Sequence, residues 1–459
     1  MKKRFQKLTA LFLTGAVTAA LLSGCGGSGD SKEKSTGESK TESSGNTASS
    51  ETESSTEASA ADIGEPNGGA EVTLWHYFEH EANALNKMIK QYNESQSDIY
   101  IVPTYVARDE LMKQYTIGAV SGELPDIGMV DSPDMASYIS LGVFEDISEY
   151  VDDWEDLGQF YPGPLASCKD AEGKLHGLPN NSNCLAIACN MDILRAAGIE
   201  NPPTTWEEFE QVCEATTDAA NGVYGFAMCS ISNEEGTFQY VPWMYGAGGD
   251  VKDIDSKENV EALTFLSDLV KNGYMSKEVV NWGQGDAYNA FLAGKAAMLE
   301  SGTWQIATLD GQDKDKVTFE YAYVPMPSNG ENQATCIGGE NFGVCAGSEY
   351  VEECAEFLKS MMSAQNNADW CEIAGKLPVR GDAVDLKDFW TADERYKVFN
   401  DSMEFAVARG PHESWPTISE AIYKAEQAAI LGEKDPAEAL AEAAKVIDPI
   451  LEETPIVEQ

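Results

Sequence analysis

Hydrophobic and polar positions follow alternating strand and helix periods from residue 71 onward. Runs rich in β-branched and aromatic residues predict strands, and apolar residues at helical spacing predict helices. The predicted strands are 71–78, 100–106 and 125–131, and the predicted helices are 83–92, 109–121 and 135–141. Strands that alternate with helices are typical of α/β proteins, in which a mostly parallel sheet is flanked by helices.

The ends of two predicted strands carry candidate binding residues. Tyr77 and Glu79 lie where the first strand ends, and Asp131 ends the third. Because ligands bind beyond the carboxyl ends of the strands in such sheets, we expect these three side chains to face a binding site.

The pattern continues in the next part of the chain. Residues 184–190 predict a buried strand, and Gly198 is predicted to stop a short helix. Thr205 is predicted to cap a further helix, whose first turn carries Glu207 and Glu208. The chain therefore keeps its α/β pattern beyond the first sheet.

The first 25 residues have the pattern of an export signal. Lys2, Lys3 and Arg4 precede an apolar run that is shorter than the ~20 residues of a spanning helix. The sequence LSGC at 22–25 resembles the lipobox of bacterial lipoproteins, which implies a signal peptide of residues 1–24 and a lipid such as palmitate on Cys25. The alternative is an ordinary secretory signal with an incidental cysteine.

Residues 25–69 predict a disordered tether. They consist mainly of Ser, Thr, Glu, Gly and Lys, with almost no large apolar residue. Such a segment cannot bury enough surface to offset the entropy of ordering. We therefore expect the protein at the extracellular face of a bacterial cell membrane, held there by a lipid anchor alone.

Composition narrows the classes of partner and fold. The formal charge of −46 repels nucleic acid and excludes it as a partner. The roughly 390 residues after the tether exceed the ~250–300 at which single cores stop growing, which predicts two lobes. Nine cysteines follow Cys25, an odd number without a C-x-x-C pair, and we interpret them as small buried hydrophobes.

Three stretches together resemble one protein family. Residues 184–209 combine a strand, a short helix and the turn NPPTTWEEF, residues 291–304 read FLAGKAAMLESGTW, and residues 374–380 read AGKLPVR. They are similar to motifs of the extracellular solute-binding proteins of bacterial ABC importers, the maltose-binding-protein-like, sugar-binding family 1. The resemblance extends from residue 71 to the C-terminus.

The resemblance implies a two-lobed periplasmic-binding-protein-like fold with a multi-strand hinge, crossed near Asn181, Val324 and Pro378. The implied N-terminal lobe is 70–181 plus 326–378, and the C-terminal lobe is 182–325 plus 379–459. It also implies a mono- or oligosaccharide bound between lobes that close by hinge motion. The expected protein is a monomer that delivers this ligand to an ABC permease, with no cofactor, no metal and no catalysis.

Aromatic residues beside Gly or Pro are candidate platforms for the C–H face of a sugar. A tryptophan on a loop is large, stiff and amphipathic, which suits this contact. The resemblance implies that Trp304 stacks on the sugar, whereas core packing stays the alternative for each of the others. The candidates are Tyr240, Trp243, Trp282, Trp304 and Trp415.

Polar residues near the implied hinge are candidate partners of hydroxyl groups. Asn183 is expected to donate to or accept from them, as Asp131 does, and Glu340 and Asn341 are further candidates. Arg380 is expected to stabilise the hinge side.

Three alternatives remain open at this stage. Residues 76–80, HYFEH, fit an inverted zinc-peptidase motif, but they lie at a strand end rather than on a helix. A surface glycosidase is not excluded by the number of acids. The same fold could also bind a non-sugar solute, such as a polyol phosphate or a peptide.

Overall fold

The computed structural model describes residues 62–456. The predicted signal peptide, Cys25 and most of the predicted tether lie outside these residues. Within them, no helix is both long and apolar enough to cross a bilayer.

The strands form two main sheets and a two-stranded ribbon. The strands are β1 (Ala70–His76), β2 (Ile99–Tyr105), β3 (Ile127–Asp131), β4 (Gly177–Pro179), β5 (Leu185–Asn190), β6 (Tyr224–Ala227), β7 (Ala296–Gly302), β8 (Tyr321–Pro325), β9 (Thr335–Ile337), β10 (Glu340–Val344) and β11 (Ala406–Ala408).

Helices cover both main sheets. They are α1 (Ala82–Ser95), α2 (Arg108–Ser121), α3 (Met135–Ser140), α4 (Ser148–Val151), α5 (Pro162–Ala166), α6 (Met191–Ala196), α7 (Trp206–Thr216), α8 (Glu234–Gly246), α9 (Lys257–Lys271), α10 (Gln284–Leu292), α11 (Thr303–Asp310), α12 (Val351–Met361), α13 (Ala364–Ala374), α14 (Gly381–Val384), α15 (Phe389–Ala392), α16 (Glu394–Ser402), α17 (Trp415–Ile430) and α18 (Pro436–Glu453).

Each main sheet contains one reversed strand. The first sheet has the order β2-β1-β3-β10-β4, and β10 runs antiparallel to both of its neighbours. The second has the order β6-β7-β5-β8, and β5 is antiparallel to both of its neighbours. In each sheet, the reversed strand is the one that the chain enters after it has crossed over from the other sheet. The expected α/β class with two sheets is confirmed.

Local capping follows the sequence closely. The Thr205 side chain accepts a hydrogen bond from the backbone N–H of Glu208 at 3.2 Å, as an N-cap does. Gly122 ends α2 in the left-handed conformation, with φ of 76°. The early strands and helices lie where the hydrophobic pattern predicts them.

Backbone hydrogen bonds tie together the segments that pass between the sheets. Asn183 and Gly338 exchange two of them, at 3.0 and 2.9 Å, and Ser182 and Leu377 exchange another two, at 2.8 and 2.9 Å. Gly339 adopts φ of 142°, and a Cβ there would lie 2.1 Å from the Asn181 carbonyl oxygen. Only glycine therefore fits this crossing. The lobe limits given above stay a prediction.

Two large cores pack against the two sheets. One packs Phe78, Phe342 and Trp370 around the first sheet and also includes residues of the second, and the other packs Phe226 and Trp243 around the second. The nine cysteines of the described range are all buried, in line with their interpretation as small hydrophobes.

The last part of the predicted tether is instead attached to the fold. The Asn67 side chain donates to the carbonyl oxygens of Asn93, Gln96 and Ile99, each at 2.9 Å. The Tyr100 hydroxyl donates to the Gly64 carbonyl at 2.7 Å. The predicted end of the disordered tether at residue 69 was therefore wrong. Hydrogen bonds of Asn67 and Tyr100 attach this polar segment, although it has few apolar residues.

Candidate ligand-binding cleft

A cavity of about 770 Å³ is lined by residues from both sheets and from the segments that join them. The first sheet contributes the residues that follow β1 and the end of β3. The second contributes α11, which directly follows β7, together with the first turns of α8 and α10. We call this cavity the cleft.

Six of the predicted binding residues line the cleft: Tyr77, Glu79, Asp131, Asn183, Trp304 and Glu340. β1 and β3 run parallel and therefore end at the same edge of the sheet, which brings Tyr77 and Asp131 together. β10 runs antiparallel to β3, so its first residue, Glu340, lies opposite Asp131 in the ladder.

Trp304 is held by close packing at the start of α11. A Cβ on Gly302 would lie 1.9 Å from the indole ring, so glycine is needed for the ring to take this position. The Phe238 ring lies 6.4 Å away on the second-sheet side. The indole is only partly buried and borders the cleft.

Lys376 lies over the same indole. Its ammonium is 5.0 Å from the ring centre, 3.4 Å from a Glu81 carboxylate oxygen and 3.7 Å from one of Glu340. Burial opposes the charge, but Glu340 and Glu81 raise the pKa of Lys376 above its ordinary value. Burial likewise raises the pKa of Glu340, against the effect of Lys376. The lysine is thus held as a cation between two carboxylates.

A second charge network crosses the cleft. Arg108, at the start of α2, donates to Asp131 at 2.7 Å. Arg409 lies 3.4 Å from the other Asp131 oxygen, and it also donates to Glu234 at the start of α8. The Arg409 guanidinium stacks 4.3 Å from the Phe238 ring centre. Arg409 therefore pairs with one carboxylate at the end of a first-sheet strand and with another at the start of α8.

Asp134 is buried beside this network, and this burial and the carboxylates of the network raise its pKa. Burial, then Glu234 and Asp131, raise its pKa to about 8, although Arg108 and Arg409 act in the opposite direction. The cleft therefore has more carboxylate than its cations can neutralise.

Several buried polar atoms of the cleft-lining residues have no hydrogen-bond partner among the described residues. The acceptors are Asn183 Oδ1, Glu234 Oε2, Gln305 Oε1 and Glu340 Oε2, the donor is Arg409 Nε, and His80 Nε2 donates or accepts according to its tautomer. Leaving a buried polar group unpaired costs about 1–3 kcal/mol. A ligand with several hydroxyl groups can satisfy both kinds of atom.

Two predicted stacking residues lie in the core instead. Tyr240 and Trp243 belong to α8 and are buried, and the Trp243 indole N–H donates to Glu300 at 2.8 Å. Pro242 and the following glycines suggested a loop, but the helix contains Pro242 in its interior. The stacking prediction for these two residues is corrected accordingly.

Trp282 and Trp415 are not among the cleft-lining residues either. Trp282 packs, partly buried, against both cores. Trp415 is fully buried at the start of α17, where its N–H donates to Glu234 at 3.1 Å. Trp415 can therefore position a cleft residue but cannot itself stack on a ligand.

Asn341 and Arg380 also lie away from the cleft. Asn341 follows Glu340 on β10 and faces the other side of the sheet, where it donates to the Ser167 hydroxyl at 2.9 Å. Arg380 is buried, donates to the Met362 carbonyl at 2.7 Å and binds Asp382. Arg380 thus stabilises the turn after α13.

The cleft residues that sequence reasoning missed include Arg108, Glu234, Phe238, Lys376 and Arg409. Lys376 lies inside the AGKLPVR stretch, which was the one available signal. The others lie in or next to helices and strands, and their contacts in the cleft are made with residues from other elements. Hydrophobic periodicity carries no information on such pairs.

The two histidines of HYFEH do not form a metal site with other ligands. His76 is buried at the end of β1, and His80 lies 3.2 Å from Glu81. Burial lowers the pKa of His76 to about 4. Between residues 62 and 456, no group of three His, Cys, Asp or Glu side chains could hold a metal ion.

The family model of bacterial extracellular solute-binding proteins matches residues 87–398. This chain belongs to that family. It is 25% identical to the sn-glycerol-3-phosphate-binding periplasmic protein UgpB of Brucella melitensis over 331 residues, which cover 67% of this chain and 74% of the relative.

Solved structures share the fold. A solute-binding protein from Thermotoga lettingae, bound with alpha-D-tagatose, has a TM-score of 0.77 and 25% identity, covering 83% of this chain and all of that one. The cyclic alpha-maltosyl-1,6-maltose binding protein of Arthrobacter globiformis has a TM-score of 0.70 and 26% identity, covering 84% of this chain and all of that one. The family and the two-lobed fold are thus established together.

Proposed function

We propose that this protein binds a mono- or oligosaccharide in the cleft and delivers it to an ABC permease. The observation that carries the proposal is the partly exposed Trp304 ring beside buried, unpaired polar atoms. Aromatic lining with a few placed polar groups is typical of small-molecule sites. Two structural relatives, one bound with alpha-D-tagatose and one named as a cyclic alpha-maltosyl-1,6-maltose binding protein, support this ligand class.

Hydroxyl groups fit the unpaired atoms because each one can donate and accept. Asn183 and Glu340 would accept from the ligand, and Arg409 Nε would donate to it. Trp304 would then contact the C–H face of the sugar ring. These roles agree with those expected from the sequence for Asn183, Glu340 and Trp304.

A polyol phosphate is the second candidate, because the UgpB relative is named for sn-glycerol-3-phosphate. The charges of the cleft disfavour it. The four cations that line the cleft each lie within ion-pair distance of a carboxylate: Arg108, Lys316, Lys376 and Arg409. A phosphate would have to displace these carboxylates before it gained a cation.

The protein is proposed to act as a monomer that binds without turnover, at the extracellular face of the cell membrane. The LSGC sequence supports attachment through lipid on Cys25. The partner would be the transmembrane subunits of the permease, towards which the closed protein presents its ligand.

Calorimetry and thermal shift of the purified protein against a panel of saccharides test the proposal. At a hundredfold excess over Kd, a ligand that binds only the native state adds about 2.7 kcal/mol of stability. We expect Trp304→Ala to lose binding of the saccharide that shifts the wild type. Trp154→Ala, which removes a partly buried indole outside the cleft, should keep it.

Two outcomes would contradict the proposal. A folded protein that no saccharide shifts would exclude the ligand class. Release of product from a bound oligosaccharide would exclude a binding protein without turnover.

A further inference from the structure

The balance of charge in the cleft goes beyond what a neutral sugar requires. Seven carboxylates line it, but only four cationic side chains do. Each of those cations is already held by at least one carboxylate. The cleft therefore retains an excess of negative charge after all of its internal pairs are formed.

The excess includes buried carboxylate oxygens without partners. Glu340 uses one oxygen towards Lys376, and its Oε2 is buried and unpaired. Glu234 uses one oxygen for Arg409 and Trp415, and its Oε2 is also unpaired. A carboxylate accepts through both oxygens, so neither side chain can become a donor by rotation.

Buried amide acceptors add to the same demand. Asn183 is 5% exposed and Gln305 is 8% exposed, both line the cleft, and the side-chain carbonyl oxygen of each is buried without a partner. Against these four acceptors, the cleft-lining residues of the described range offer two other unpaired buried atoms: the donor Arg409 Nε and His80 Nε2, which donates in only one tautomer. The unpaired atoms of the cleft would therefore be satisfied best by a ligand with more hydrogen-bond donors than acceptors.

An ammonium group meets this demand better than a hydroxyl group. It offers three donors and no acceptor, and it brings the positive charge that the excess carboxylates lack. Charge-assisted hydrogen bonds are roughly twice as strong as neutral ones. A phosphate or a uronic acid would instead bring further acceptors and negative charge.

We infer that the cleft prefers a saccharide that carries an amino group, with Glu340 as the residue that receives the ammonium. This inference rests on the proposed function, since it specifies the saccharide rather than a different ligand. Glu340 is the favoured partner because it borders Trp304 through Lys376, so a sugar stacked on the indole lies beside it.

The test compares matched ligand pairs by calorimetry at low ionic strength. For each neutral mono- or disaccharide that binds the purified protein, the 2-amino and 6-amino counterparts and the 6-phosphate are measured. We expect one amino counterpart to bind at least tenfold more tightly than its parent, and the phosphate to bind at least tenfold more weakly. We call the gain in affinity of an amino counterpart over its neutral parent the amino advantage. It should shrink as salt is added, because screening weakens charge pairs that open to solvent.

Two variants assign the preference to Glu340. Glu340→Gln removes one negative charge from the cleft and should reduce the amino advantage, taken as the ratio of the two Kd values within that variant, at least tenfold. Glu349→Gln removes the same charge from an exposed position beyond the other end of β10 and should leave the advantage unchanged.

The outcomes separate this inference from the proposed function. If neutral saccharides bind and every amino counterpart binds equally or more weakly, the inference is wrong and the proposed function stands. An equal loss of the amino advantage in both variants would overturn the assignment to Glu340. If no saccharide of either kind binds, the proposed function itself fails.

Discussion

The ammonium of Lys376 lies 5.0 Å from the centre of the Trp304 ring. The two side chains come from opposite sides of the cleft, since Lys376 follows α13 and Trp304 begins α11. A cation over an indole face contributes about 0.5–2 kcal/mol, with the larger values at desolvated sites. Lys376 thus links the aromatic platform to the acidic residues Glu81 and Glu340.

Replacing Lys376 by methionine is expected to destabilise the fold. The change leaves Glu81 and Glu340 buried without their cation, and breaking such a pair costs about 3–5 kcal/mol. Urea unfolding measures the difference. Lys424→Met, which breaks the exposed pair with Glu420, should cost no more than about 1 kcal/mol. Equal losses in the two variants would contradict the structural role of Lys376.

Substitutions of Trp304 and of Trp243 should have opposite effects on ligand binding and on stability. Trp304→Ala is expected to weaken ligand binding more than tenfold with little loss of stability, because the indole is partly exposed. Trp243→Phe removes the N–H that binds Glu300 and should cost about 1–3 kcal/mol of stability, while Kd changes less than twofold. Calorimetry and urea unfolding on the same samples separate the effects. Loss of binding in folded Trp243→Phe would return that residue to the binding site.

Buried Glu426 is expected to make stability depend on pH. Burial raises its pKa to about 8, against the hydrogen bond from Ser230. A carboxyl whose pKa is raised on folding contributes its stability fully below its unfolded pKa. That stability is lost as pH rises through the folded pKa, by up to about 1.4 kcal/mol per pH unit. The wild type should therefore lose stability between about pH 5 and 8.

Glu426→Gln tests this pH dependence by urea unfolding at several pH values. The variant should show a flatter decline than the wild type, since the amide does not titrate. Glu420→Gln, at an exposed position of the same helix, should keep the wild-type slope. A slope that is identical in all three proteins would exclude Glu426 as the source.

Arg409 is expected to favour the closed arrangement of the lobes. Arg409→Met would leave Asp131 and Glu234 facing each other without their shared cation. The ligand-free variant should then show a larger radius of gyration by small-angle scattering. Its apparent Kd should rise because a smaller fraction of the molecules is in the conformation that binds ligand. Arg195→Met, which breaks an exposed pair with Glu320, should leave both quantities unchanged. A compact ligand-free Arg409→Met would contradict this role.

The sequence predicted the α/β class and the early elements because their signals are local. Alternation, helical spacing and caps such as Thr205 depend on residues within one or two turns of each other. The first-sheet cleft residues Tyr77 and Asp131 followed from the same logic, since parallel strands end at one edge. Trp304 was found through a family motif rather than through its surroundings.

The remaining cleft residues depend on contacts between distant segments. Arg409 reaches Asp131 across 278 residues, and no periodic pattern records that distance. Pro242 was misleading because a proline usually ends a helix, whereas burial of the aromatic residues around it stabilises α8 here. Tertiary packing determines which of these residues line the cleft and which lie in the core, and local sequence signals carry no information on that packing.

The attachment of residues 62–69 determines where any mechanical load enters the fold. Asn67 binds the last turn of α1 and the start of β2, at the amino edge of the first sheet, whereas the cleft lies at the carboxyl edge. A pull on the preceding chain would act along β1, whose seven residues all pair with β2. Parallel strands loaded along their length resist through many hydrogen bonds at once. A load applied to the chain before residue 62 would thus be borne by the first sheet without passing through the predicted hinge.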